Sequence, residues 1–170
     1  MSYNFEQYRQ FIRKVDELTE QLSSLHQNHM QCRKGCDLCC MNYRIFPVEY
    51  FSIQQRLNEK PAETQQARDG SCIFLKDHIC QVYAHRPVIC RTHGLPLLYL
   101  NDEQWELSAC ELNFTEFDEE EFSAENTFPQ DTFNSELFQV NKAFIRENRL
   151  DYSEFDLLEM KDLHNVKSIE

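Results

Sequence analysis

Apolar residues recur three or four apart through "NFEQYRQFIRKVDELTEQLSSLHQNHM", where Phe5, Tyr8, Ile12, Val15, Leu18, Leu22 and Leu25 fall on one side of a helical period. The pattern predicts a long amphipathic helix, capped by Asn4 with Gln7 reaching back, that delivers the chain directly to Cys32. A second helix is expected over "VEYFSIQQRL", because Pro47 stands in a first turn, where no N–H donor is needed. The polar stretch "NEKPAETQQARDG" reads as a loop. Alternation then replaces helical periodicity: "CIFLKDHICQVY" around Lys76-Asp77 and "LPLLYLNDEQWEL" around Asn101-Asp102 both predict short hairpins. Phe133, Leu137, Val140 and Phe144 restore a helical stripe, and "SEFDLLEMKDLH" is expected to form a last helix. No internal repeat at solenoid periods breaks this order.

These elements predict an α+β fold in which helices surround an irregular cysteine-rich core with two short β-hairpins. A chain of 170 residues suits a single domain over 1–170, with an N-terminal helix (1–31), a cysteine-rich core expected to bind metal (32–111), and an acidic segment with C-terminal helices (112–170). Hydrophobic residues make up 41% of the chain, enough for a packed core. The net charge of -12 opposes a phosphate backbone, so a nucleic-acid partner is not expected. Thr115 to Asn126, with Asp118, Glu119, Glu120 and Glu121 in a row, reads as a solvated surface. No apolar stretch is long enough for a membrane span, and the start has no basic segment followed by an apolar run, so a cytoplasmic location is expected.

Composition changes the picture most at the cysteines. In a reducing compartment, eight of them point to metal ligands or catalytic thiols rather than disulfides. Cys32, Cys36, Cys39 and Cys40 form C-x3-C-x2-C-C, and Cys72, Cys80, Cys90 and Cys110 follow at wider spacing. Short-spaced pairs supply two ligands from one turn, and distant partners complete the coordination. One tetrahedral ion needs four ligands, so eight thiols imply two ions or one polynuclear cluster. Adjacent Cys39 and Cys40 should diverge and serve two neighbouring metal positions. The chain's three glycines, Gly35, Gly70 and Gly94, each lie within four residues of a cysteine, where tight turns can wrap amides around a thiolate. Arg33, Lys34, Arg44, Arg86 and Arg91 also surround the cluster, and guanidinium groups would offset thiolate charge. Among the histidines, His93 is the strongest further ligand, His26 and His29 are weaker, and His78 and His164 read as exposed.

"CRKGCDLCC" followed by "CIFLKDHICQVYAHRPVICRTHGLPL" resembles the YkgJ-type cysteine-cluster family, also described as the CxxCxxCC zinc- or iron-chelating domain. The resemblance spans about residues 32 to 110 and rests on Cys32, Cys36, Cys39 and Cys40, on Cys72 and Cys80, and on Tyr83, Arg86, Pro87, Cys90 and Arg91. It implies metal chelation by these cysteines, with Cys110 at its edge. Flagellin lysine N-methylases carry a similar cysteine region, which links the pattern to methyl transfer.

The reading that follows is a metal-ion-binding protein whose cofactor is zinc or iron, with an iron–sulfur cluster as one form of the latter; thiolates suit both metals. Its partners are metal ions, with a protein partner left unidentified. The alternative is an enzyme: an iron or iron–sulfur redox enzyme or a methyl-transfer-associated protein, and after that a thiol redox protein cycling Cys39 with Cys40 or Cys36. Three glycines are too few for a Rossmann or P-loop site.

Overall fold

The first apolar stripe folds into α1 (Glu6–Leu25), which buries Tyr8, Phe11, Val15 and Leu22. Asn4 Oδ1 accepts the Glu6 N–H at 2.9 Å, whereas Gln7 reaches Glu147 on another element instead of turning back. The helix stops before the cysteines. Leu25 is exposed, and turns over 26–29 intervene before Cys32. The computed structural model describes residues 3–33, 35–66 and 70–165, so Lys34 and the end of the expected polar loop lie outside it, as does the side chain of His164.

Beyond the first cysteines, β1 (Arg44–Ile45) leads into α2 (Pro47–Glu59), whose first-turn proline and Glu49–Phe46 capping box set its start. Both expected hairpins are present: β2 (Leu75–Lys76) with β3 (Ile79–Cys80), and, after α3 (Val88–Thr92), β4 (Leu97–Asn101) with β5 (Gln104–Ser108). Each turn sits one residue later than the alternation implied. Asp77, His78, Asp102 and Glu103 all have positive φ, the backbone of a two-residue hairpin turn whose twist matches the strands. A third strand, β6 (Phe128–Pro129), joins β4 in parallel and leads into α4 (Gln130–Asn148), which carries the expected C-terminal stripe.

The expected last helix does not form. Leu158–Glu159 is a strand, β7, antiparallel to β1, and residues 160–165 make 3-10 turns. The reason is a tertiary pairing: Met160 N–H donates to the Tyr43 carbonyl, and Asn42 binds both the Glu159 carboxylate and the Lys161 N–H. The result is a mixed α+β architecture, with more small strands than the two hairpins foreseen.

Helices α1, α2 and α4 meet around Phe5, Tyr8, Phe11, Val15, Val48, Leu137 and Phe144, and burial of each such side chain contributes roughly 1.5–3 kcal/mol. Asn141, fully buried on α4, accepts the Val48 N–H and donates to the Glu154 carbonyl, so it ties α2 and the C-terminal segment to α4. A second cluster, with Ile45, Tyr50, Ile53, Ile73, Phe74 and Val82, includes Cys72 and has Cys40 and Cys80 packed against it. The cysteine region therefore rests on its own layer of core.

Candidate metal centre

Two successive turns shape the first four cysteines: the Cys36 N–H donates to the Arg33 carbonyl and the Cys40 N–H to the Asp37 carbonyl. Asp37 also meets His78 at 2.8 Å, which clips this loop to the β2–β3 turn; His78 is thus paired though exposed. Residues 40–42 then zip against 70–72, through the Cys72 N–H to the Cys40 carbonyl, the Asn42 N–H to the Gly70 carbonyl, and a Met41–Ser71 bridge. Cys40 and Cys72 become neighbours across this pairing. Cys80 arrives on β3, opposite Leu75, and Cys90 on α3.

The backbone donates to two of these sulfurs. Cys72 Sγ accepts the amides of Phe74 and Leu75, and Cys80 Sγ accepts that of Val82. Burial pushes the Cys72, Cys80 and Cys90 thiols up, and the amide bonds on Cys72 and Cys80 pull back only in part. Charge on Cys72 and Cys80 further raises Cys40 and Cys90, so these four share one neighbourhood. Cys32 is raised by its own burial and feels Cys110, Cys36 and Cys39, which form the second. Cys39 adjoins both. Its side chain hydrogen-bonds Cys40 rather than pointing away from it, which lowers Cys39 to about 6 and raises Cys40. All eight cysteines are free thiols.

Asn113 organises the second neighbourhood, and nothing in the spacing marked it. Buried, it accepts the Gln31 N–H at 2.7 Å and donates to the Gly94 carbonyl at 2.7 Å and to Cys32 Sγ at 3.3 Å. Its own N–H closes a turn onto the Cys110 carbonyl. Gly94 completes the cradle: its φ is +92°, and a Cβ there would stand 2.5 Å from Cys32 Sγ. Only glycine lets that sulfur sit against the backbone.

The arginines divide. Arg86 lies over the Tyr83 ring at 3.9 Å, and its charge favours the thiolates of Cys39, Cys80 and Cys90. Arg91 is a strut instead, bonding Asp16 and the carbonyls of Arg86 and Ala84. Of the histidines, His26 is bound to the Asn126 carbonyl, and both His26 and His29 meet the Phe117 ring edge to face. His93 stacks on Tyr43, and its buried Nε2 has no partner among the described residues.

The donors fit a borderline or soft cation. Thiols from separated segments lie within reach of one another's charge, amides lower the Cys72 and Cys80 thiols, a glycine cradle seats Cys32, and a guanidinium offsets negative charge. Among the described residues, however, no three His, Cys, Asp or Glu side chains are so arranged as to hold an ion as they stand.

Glu49 positions Cys90 from below. Only 3% exposed, it accepts the Val88 N–H at the start of α3 with one oxygen and the Phe46 N–H with the other. Burial raises its carboxyl to about 7, against the two amide bonds and the Arg91 charge. Tyr8 and Cys90 also feel its charge. A carboxyl raised on folding contributes stability that is fully present below its unfolded value near 4.5 and is lost as the pH climbs through 7. The loss is roughly 3 kcal/mol at about 1.4 kcal/mol per pH unit. The stability advantage of the parent over Glu49→Gln should therefore shrink by that order between pH 4.5 and 8 in urea titrations. A gap that stays constant would refute it.

An irregular thiol-rich centre, held between helices and small sheets, defines an α+β cysteine-cluster protein. Residues 31–111 match the family model CxxCxxCC, described as "Putative zinc- or iron-chelating domain". No curated protein and no solved structure matches the chain. No described helix is long and apolar enough to cross a membrane.

Proposed function

We propose that this chain chelates two zinc or iron ions at adjoining positions, Cys40, Cys72, Cys80 and Cys90 serving one and Cys32, Cys36, Cys39 and Cys110 the other. What supports the reading is that thiols from segments up to 78 residues apart feel one another's charge, in two groups that adjoin at Cys39–Cys40. Amide donors on Cys72 and Cys80, and Arg86 beside three of the thiols, support it, because both stabilise bound thiolates. When bound, the metal supplies cross-links between segments that share little regular structure. The residues' own part is to present sulfur, donate hydrogen bonds to it and screen its charge.

The test is elemental analysis with an absorption spectrum on protein purified without air. About two ions per chain are expected, colourless if zinc and coloured by thiolate charge transfer if iron. Cys90→Ser and Cys110→Ser should each remove about one ion, from different positions. Metal content near zero, or unaffected by either change, would reject the assignment.

A further inference from the structure

Residues 92–141 carry twelve acidic side chains and no lysine or arginine, so the chain's entire net charge of -12 resides there and the remainder is balanced. Among the described residues, only Glu136 of the twelve pairs with a basic side chain, that of Lys14. This stretch builds the three-stranded sheet, in the order β5-β4-β6, and β5 is an edge strand with no strand on its outer side among the described residues.

The two-residue turn at Asp102–Glu103 makes Asn101 and Gln104 a hydrogen-bonded pair. By alternation, Trp105 and Leu107 direct their N–H and C=O groups away from β4. The same parity is visible on β4, where the Leu100 N–H donates outward to the Asp131 carboxylate at 2.7 Å. Proteins commonly blunt such an edge with proline, lysine or a bulge. The edge strand, "QWELS", contains no proline or lysine, and its ladder to β4 runs unbroken.

Side chains add to the exposed backbone. Leu98, Leu100, Trp105 and Leu107 share one face of the hairpin, as their cross-strand pairing requires. Trp105 is the chain's only tryptophan and is 68% exposed; Leu100, opposite it, is 50% exposed. Beside Trp105 opens a cleft of about 620 Å³, lined by Leu98, Leu107, Phe122 and Pro129 with Glu106 and Asp131. Exposed aromatic and aliphatic area beside an open edge marks an interaction surface.

We propose that β5 is the docking edge for an extended, lysine- or arginine-rich segment of a partner protein, which adds to the sheet as a fourth strand. Its backbone pairs with Trp105 and Leu107, every second side chain is apolar and lies on Trp105 or in the cleft, and its basic residues meet the acidic surroundings. Charge decides the occupant: a second copy of this chain would bring two intensely acidic surfaces together, whereas a cationic strand is attracted. The inference does not depend on the metal assignment.

An array of random octapeptides probed with the full-length chain, as purified without air, tests it. The expected binders alternate apolar with basic residues, blue-shift Trp105 fluorescence and shield it from quenchers. Their affinity should fall about tenfold or more between 50 and 500 mM salt, as screening requires. Trp105→Ala, at an exposed site, should keep the melting temperature and lose at least about tenfold in affinity for a labelled peptide. N-methylation of alternate peptide amides should abolish binding while leaving charge and side chains in place. No binders, binders without basic excess, indifference to N-methylation or to Trp105→Ala, or a dimer that already shields Trp105, would each overturn the proposal.

Discussion

Stripping the chain with a strong chelator under reducing conditions is expected to lower its melting temperature by at least ~10 °C and to unfold its middle. A structural zinc ion supplies on the order of 10–16 kcal/mol of apparent binding free energy, against roughly 5–15 kcal/mol for the stability of a whole domain. In a chain of this size, ~1 kcal/mol moves the melting temperature by about 2–4 °C. Residues 70–82 should depend most on a bound ion, because their regular structure amounts to a hairpin of two short strands. Phe74 and Ile73 share a core cluster with Cys72, so losing the sulfur anchor should loosen that layer as well. The helices around Phe11 and Phe144 hold a separate cluster and should retain much of the helical circular dichroism. Calorimetry and amide exchange, with and without chelator, read both parts. A melting profile that ignores the chelator would be incompatible with ions at the centre.

The second large effect is expected from Gly94→Ala. Its added Cβ would meet Cys32 Sγ at 2.5 Å, in a backbone conformation (φ +92°) that disfavours any side chain. The sulfur must move out of the cradle made by Gly94 and Asn113, and the position served by Cys32 and Cys110 should bind metal at least ~tenfold more weakly, about 1.4 kcal/mol. The position served by Cys72, Cys80 and Cys90 should keep its ion. Competition with a chromophoric chelator counts the two separately, and an equal loss at both would show that the sites are not divided as proposed.

Much of the frame is legible in the chain because periodicity is a local property. Alternation and helical spacing place α1, α2, α4 and both hairpins, since each buries one face and repeats apolar residues accordingly. The hairpin turns shift by one because Asp, His and Glu occupy left-handed positions there without the asparagine or glycine that signals such turns. The stretch around Leu158 fails as a helix for a different reason. Its apolar residues satisfy helical spacing, yet pairing with Arg44 and Ile45, more than a hundred residues away, outweighs that preference.

At the centre the division is similar. Cysteine spacing points to thiolate chemistry and names the eight candidates, because four cysteines within nine positions exceed what packing alone explains. Spacing cannot tell which sulfurs become neighbours: that follows from the pairing of 40–42 with 70–72 and from Asn113 bridging Gln31, Cys32 and Gly94. Nor can it separate Arg86, beside the thiols, from Arg91, a strut to Asp16. Composition and short-range pattern are written residue by residue, so they survive without a fold. Proximity between distant segments exists only once the chain has closed on itself, and so the grouping of the thiols and the open edge at Trp105 emerge only there.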